Sequence, residues 1–408
     1  MLLSARASMH FDVNDLDTDP RERDAALAWL RRNDPIHWDA KNGFWLATRH
    51  ADVREISKHP EVYSSEAKGP WHLFELRFSM QAMDGPAHRQ QRALVSKGFT
   101  PRMVERLTAS ARAVADAAID EVAARGRCDF VAELAAPVPV RIIADMLGLD
   151  ASHFDLFRHW SDDVSTGDPA VTGSPRFVAM QSELEQHLRD VADARRAEPR
   201  EDLLSVVVAA EREGTLDWHG ADSFEGFSKD DLLSFAQFVL LAGNETTRNS
   251  ISRGVLALID HPEERAKLAA RPELLSTAVE EILRWSTPVR VLRRTLVQDA
   301  ELHGKRLAKG DSILLLYCSA NRDEEVFADP YAFRVDRTPN EHLTFGIGPH
   351  FCLGASLARM EIGVVLERIL TRLPDISLAP GTRPREGRNS ILASIDEMPV
   401  VFTPHPRG

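Results

Sequence analysis

Two stretches of the 408-residue chain carry residue types that core packing does not ask for. The first is Phe345-Gly346-Ile347-Gly348-Pro349-His350-Phe351-Cys352-Leu353-Gly354. Its glycines and proline force an irregular loop that delivers one cysteine to the start of a helix beginning near Leu353. At such a place the helix dipole and free N–H groups stabilise a thiolate. The same N–H donors can bond the sulfur and tune the potential of a metal it holds. A lone cysteine is more often an inert core residue, but the loop, the helix start and nearby His350 favour a working sulfur here.

The second stretch is Gly243-Asn244-Glu245-Thr246-Thr247, set between the apolar runs 235–242 and 255–259. A buried glutamate costs several kcal/mol unless it is paired or solvated. Glycine and paired threonines lower helix propensity further. The segment reads either as a solvated kink or as a water-holding notch where a reacting molecule approaches the backbone and receives protons.

Helices must position both stretches. Helical periodicity appears over 24–33, 103–125, 177–196, 229–260, 262–270 and 274–285, with short strand-like runs at 43–48, 313–317 and 398–402. This pattern predicts a mainly α fold with a minor β portion, organised as one domain over 1–408. The longest helix is capped by Ser228 with Asp231 three residues on, and His261-Pro262 ends it. A helix of that length spans on the order of 45 Å and must cross the core.

The net charge of −12 argues against a nucleic-acid partner. Three cysteines (Cys128, Cys318 and Cys352) without a CxxC spacing suit a reduced, cytoplasmic protein. Cys318 lies in an apolar run and reads as core; Cys128 sits in a short polar turn and carries no motif. No apolar run is long enough for a membrane anchor or signal segment.

The pattern Phe345-x-x-Gly348-x-His350-x-Cys352-x-Gly354 resembles the haem-binding signature of the cytochrome P450 family. Ala242-Gly243-Asn244-Glu245-Thr246-Thr247 is similar to that family's oxygen-activation motif. Glu281-x-x-Arg284 with Arg337 resembles its ionic triad. Met83 to Arg92, with His88-Arg89-Gln90-Gln91-Arg92, looks like the helix that grips a haem propionate. Glu-x-x-Arg alone means little, because helices often carry it; four motifs in order over about residues 80–370 are specific.

The resemblance implies a cytochrome P450 fold, with a long central helix over haem b, and a haem-thiolate monooxygenase activity. Cys352 would be the iron's fifth ligand, pushing electron density that favours O–O cleavage. His88, Arg92, Arg294 and His350 would meet the propionates, with Arg293 an alternative to Arg294. Ala242, Gly243, Phe345, Gly346 and Gly354 would border the haem, Gly243 leaving room for O2. Glu245 and Thr246 would form the acid–alcohol pair that delivers protons, Thr246 holding oxygen and its water and Glu245 reaching solvent. Glu281, Arg284 and Arg337 would brace the cysteine loop.

Leu240, Val289, Val291 and Leu392, under an aromatic-rich segment at 70–78, would line a pocket for a hydrophobic small molecule. The run 319–327 together with the 241–249 motif looks like bacterial members that oxidise sterols, terpenoids or fatty-acid chains. The segment 216–227 resembles an extension of the loop before the central helix. No GxGxxG follows a strand, so electrons would come from a separate ferredoxin and its reductase, docking near Arg102, Arg106 and Arg359. Two other classes compete: a haem carrier without turnover, disfavoured by the acid–alcohol pair, and a hydrolase using Cys352 and His350, for which no oxyanion hole is evident.

Overall fold

The computed structural model describes residues 11–15, 17–69, 80–96, 98, 101–166, 168–213 and 231–406. The expected cap at Ser228, the aromatic segment 70–78 and the loop extension 216–227 lie outside them. Helices predominate and the β portion is minor.

The central helix runs Asp231–Asp260 and stops where expected: His261 caps the next helix, Pro262–Ala270, whose first residue is the proline. Leu233, Phe235, Ala236, Ile251 and Val255 are buried along its length. It packs against Pro137–Leu147, Phe154–Ser165, Leu275–Ser286 and Ala355–Arg372, so it crosses the core, as its length required. The other predicted helices form as Pro20–Asn33, Pro101–Ala123, Pro175–Ala197 and Leu275–Ser286, within a few residues of the sequence boundaries.

All three predicted strand regions are present. The main sheet takes Ile36–Asp39, Phe44–Ala47, Ser312–Leu316, Val291–Leu296 and Tyr63–Ser64 in that spatial order, with only the second and third paired parallel. Pro399–Val401 joins a smaller sheet with Arg127–Asp129 and Ser377–Leu378. That pairing buries Cys128 opposite Val400, so the residue read as part of a polar turn is a strand residue. Cys318 is half-buried against an apolar cluster, in line with its core reading. Among the described residues no helix is long and apolar enough to cross a membrane.

Candidate functional site

The cysteine loop folds by its own backbone. The N–H of Gly346 donates to Leu343 O at 2.8 Å, that of Phe351 to Gly348 O at 3.1 Å, and that of Cys352 to Phe345 O at 2.8 Å. Gly348 has φ +79°, and a Cβ there would fall 2.7 Å from Ser57 O, so only glycine fits. The helix behind the loop starts at Ala355, slightly later than Leu353. The Cys352 sulfur therefore lies ahead of the first helical turn. Burial raises its thiol pKa, while a bond from the Gly354 backbone and the charges of Arg92 and Arg359 act the other way. Its accessible surface opens into a large internal cavity.

That cavity gathers most of the residues singled out from the sequence. Its walls include His88, Arg92, Arg294, His350, Ala242, Gly243, Thr246, Phe345, Gly346 and Gly354 beside Cys352. Strand geometry separates the adjacent arginines, since successive side chains point to opposite faces. Arg294 faces the cavity, whereas Arg293 turns away and donates to the backbone oxygens of Lys68 and Gly69. Val291 shares Arg293's parity and is core, while Leu292 is a wall. Of the four expected pocket residues only Val289 lines the cavity; Leu240 and Val291 are buried core, and Leu392 pairs with Val289 through a backbone bridge. The central helix contributes Phe238 and Val239 instead.

His88, Arg92, Arg294 and His350 approach one another with few counter-charges. The His88 and His350 rings lie 4.2 Å apart. Burial, together with the neighbouring charges of His350 and Arg92, lowers His88 to about 4. Arg92 is likewise lowered by burial. The carboxylate in reach is Asp84, whose Oδ1 lies 3.2 Å from His350 Nε2. Burial alone would raise Asp84, but hydrogen bonds from His350, Ser64 and the Glu66 backbone hold it low. Asp84 thus orients His350, a role the sequence reading missed; its place four residues before His88 was the available signal.

Glu245 is not a cavity wall. Neighbouring helical residues are turned about 100° apart, so Thr246 faces the cavity while Glu245 faces the Phe154–Ser165 helix. Arg248 Nη2 lies 2.5 Å from Glu245 Oε1 and pairs also with Asp162, whose side chain is 33% exposed. Asn249 donates to the other Glu245 oxygen at 3.3 Å. The Thr246 hydroxyl donates to Ala242 O at 2.9 Å, leaving its oxygen free to accept. Gly243 reaches the cavity, but what demands its missing side chain is Ile143: a Cβ would fall 2.2 Å from Ile143 Cδ1.

Behind the loop the triad is assembled. Glu281 receives Arg284 Nε and Nη2, both at 2.7 Å, and Arg337 Nε at 3.1 Å from each oxygen. Arg284 also donates to Asn321 O at 3.0 Å. The Asn321 side chain bonds the Leu343 N–H and the Thr344 hydroxyl, just ahead of the cysteine loop. Arg359 is bound by Glu280 at 2.6 and 2.8 Å and lies over the Phe345 ring, so its charge is engaged in the loop's support. Arg102 and Arg106 pair loosely with Glu201 at 3.5 and 3.9 Å.

Comparison with known proteins decides what this cavity belongs to. The cytochrome P450 family model matches residues 175–392. The steroid C26-monooxygenase of Mycobacterium tuberculosis is 40% identical over 391 residues, covering 95% of each chain. The chain belongs to the cytochrome P450 family. A methyl-branched lipid omega-hydroxylase of the same organism is 38% identical over 403 residues, covering 93% of this chain and 91% of that one. The crystal structure of Mycobacterium marinum cytochrome P450 CYP268A2 in complex with pseudoionone superposes with a TM-score of 0.84 at 33% identity, over 96% of this chain and 99% of that one.

As a cytochrome P450 it is a haem monooxygenase, and the residues present fit haem b. The cationic group at one side of the cavity is short of carboxylates and suits two propionates. A Cβ on Gly354 would meet nothing within 4 Å, leaving the flat space beside Cys352 open. Glu361, a further cavity wall, is 1% exposed, with Oε2 unpaired and its pKa raised well above the usual range by burial. Burial thus favours its protonated form; it was missed from sequence, where it looks like a surface residue.

Burial raises Glu245 too, to about 7, against the pull of Arg248. Folding therefore favours its protonated form. That contribution is complete below the ordinary value of 4.5 and is lost as pH rises through about 7. Relative to Glu245→Gln, the wild type should lose roughly 1–3 kcal/mol between those limits. Urea unfolding at pH 5 and pH 8 measures this; parallel profiles for the two proteins would refute a buried neutral acid.

Proposed function

We propose that this cytochrome P450 inserts oxygen into the hydrocarbon portion of a sterol-like or methyl-branched lipid substrate, with terpenoids of similar shape as further candidates, using electrons from a separate ferredoxin and reductase. One observation carries the reading: Cys352 opens onto a cavity whose remaining walls, including Met80, Ile143, Phe238, Val239, Val289 and Leu292, are largely apolar. Relatives named for steroid and branched-lipid oxidation support the substrate class.

Haem, when bound, supplies the activation of dioxygen and the transfer of one oxygen atom to carbon. The chain supplies the rest as one catalytic unit. The Cys352 thiolate would ligate the iron. His88, Arg92, Arg294 and His350 would hold the propionates, Asp84 orienting His350. Apolar walls exclude water and orient the substrate. The free lone pairs of the Thr246 hydroxyl hold a water at the oxygen-binding space, because its proton is committed to Ala242 O. Glu245, raised to about 7 by burial and held by Arg248 beside partly exposed Asp162, would be the proton source for that water once it turns from this contact toward the cavity.

Thr246→Ala tests the relay. The variant should retain haem and substrate affinity while the fraction of reductant appearing as hydroxylated product falls about tenfold, the balance released as peroxide. Coupling equal to wild type would refute the role of Thr246. Titrating the holoenzyme with steroids, branched lipids and terpenes, and following the spin-state change as the iron's water is displaced, tests the substrate class; silence from all of them would overturn it.

A further inference from the structure

Gln81 lies on a single helical turn, Met80–Ala82, just ahead of the helix that carries His88 and Arg92. It lines the cavity, and its Oε1 is buried without a hydrogen-bond partner. Several other polar walls are committed: Thr246 to Ala242 O, Ser250 to Thr246 O, Thr344 to Leu283 O and His350 to Asp84; the other unpaired group, Glu361, is a carboxyl rather than an amide. The His88, Arg92, Arg294 and His350 group is cationic and answers to carboxylates. Gln81 adds a neutral carboxamide to a cavity whose walls also include Met80, Ile143 and Leu292. A buried amide without a partner is costly. A site that bears one favours ligands that complete the bond and rejects analogues that lack the group.

We propose that Gln81 is a specificity-determining residue, selecting among apolar molecules those with a hydroxyl group at the end docked beside the Met80–Ala82 turn. The unpaired Oε1 is an acceptor, so a ligand hydroxyl completes the pair, whereas a keto oxygen, which only accepts, or a pure hydrocarbon leaves it desolvated and unpaired. The inference rests on the substrate class proposed above and narrows it: the oxidised carbon belongs to the hydrocarbon end, and the oxygen function marks the other.

The holoenzyme is titrated with a 3-hydroxy steroid and its matching 3-deoxy hydrocarbon, identical in side chain, reading the spin-state change. Wild type should bind the hydroxy compound roughly five- to tenfold more tightly. Gln81→Leu should abolish that preference without weakening the hydrocarbon; Gln81→Met serves in its place if the leucine variant loses haem. Equal binding of both ligands by wild type, or an unchanged ratio in the variant, overturns the assignment of Gln81 alone. If wild type binds neither, the steroid substrate class fails, and this inference with it.

Discussion

Cys352→Ala should yield a folded protein whose reduced, carbon-monoxide-treated form lacks the red-shifted Soret band of thiolate ligation, and whose oxygen insertion falls by at least about 10³-fold. Folding should survive because the loop is held by its backbone bonds and by the Asn321 and Glu281 networks, none of which uses the sulfur. Some haem should remain, since four cationic or donor groups and an apolar cavity are untouched. The contrast separates the ligand from the container: haem bound without the shifted band locates the bond at position 352. A variant that kept the band would place the ligand elsewhere. The hydrolase reading makes the opposite demand, a colourless protein with thiol-dependent turnover, and a haem spectrum of the wild type would exclude it.

The second large effect is on stability. Glu281→Ala should cost about 3–5 kcal/mol, read by urea unfolding, because it strands two buried guanidiniums. Arg284 and Glu281 have fully buried side chains and that of Arg337 is 5% exposed. The same carboxylate also accepts from the Arg334 backbone and the Asn340 amide. Haem should be lost before global unfolding, since Arg284 reaches the cysteine loop through Asn321. A loss below about 1 kcal/mol, with haem retained, would show that the backbone carbonyls around Arg284 and Arg337 suffice without Glu281.

The sequence by itself determined the local events. Glycines at 346 and 348 specify a loop only they can form, because Gly348 needs a positive φ against Ser57. His261-Pro262 ends the central helix because proline disfavours helix at the preceding residue. The order of four motifs identified the family. The Glu281, Arg284 and Arg337 charges could be paired from sequence because two lie one helical turn apart and the third follows the family's spacing.

What needed the tertiary structure was direction. Helix and strand periods say which residues share a face but not which face meets the cavity. The parity of one strand decided Arg294 over Arg293 and displaced Val291 in favour of Leu292. The rotation of one helix put Thr246 on the cavity and Glu245 against Arg248 and Asp162, and replaced Leu240 with Val239. Contacts distant in sequence were equally hidden: Asp84 beside His350, Ile143 against Gly243, and the buried, unpaired oxygens of Glu361 and Gln81. Each depends on packing between elements, where burial sets both the side chain's aim and its charge state.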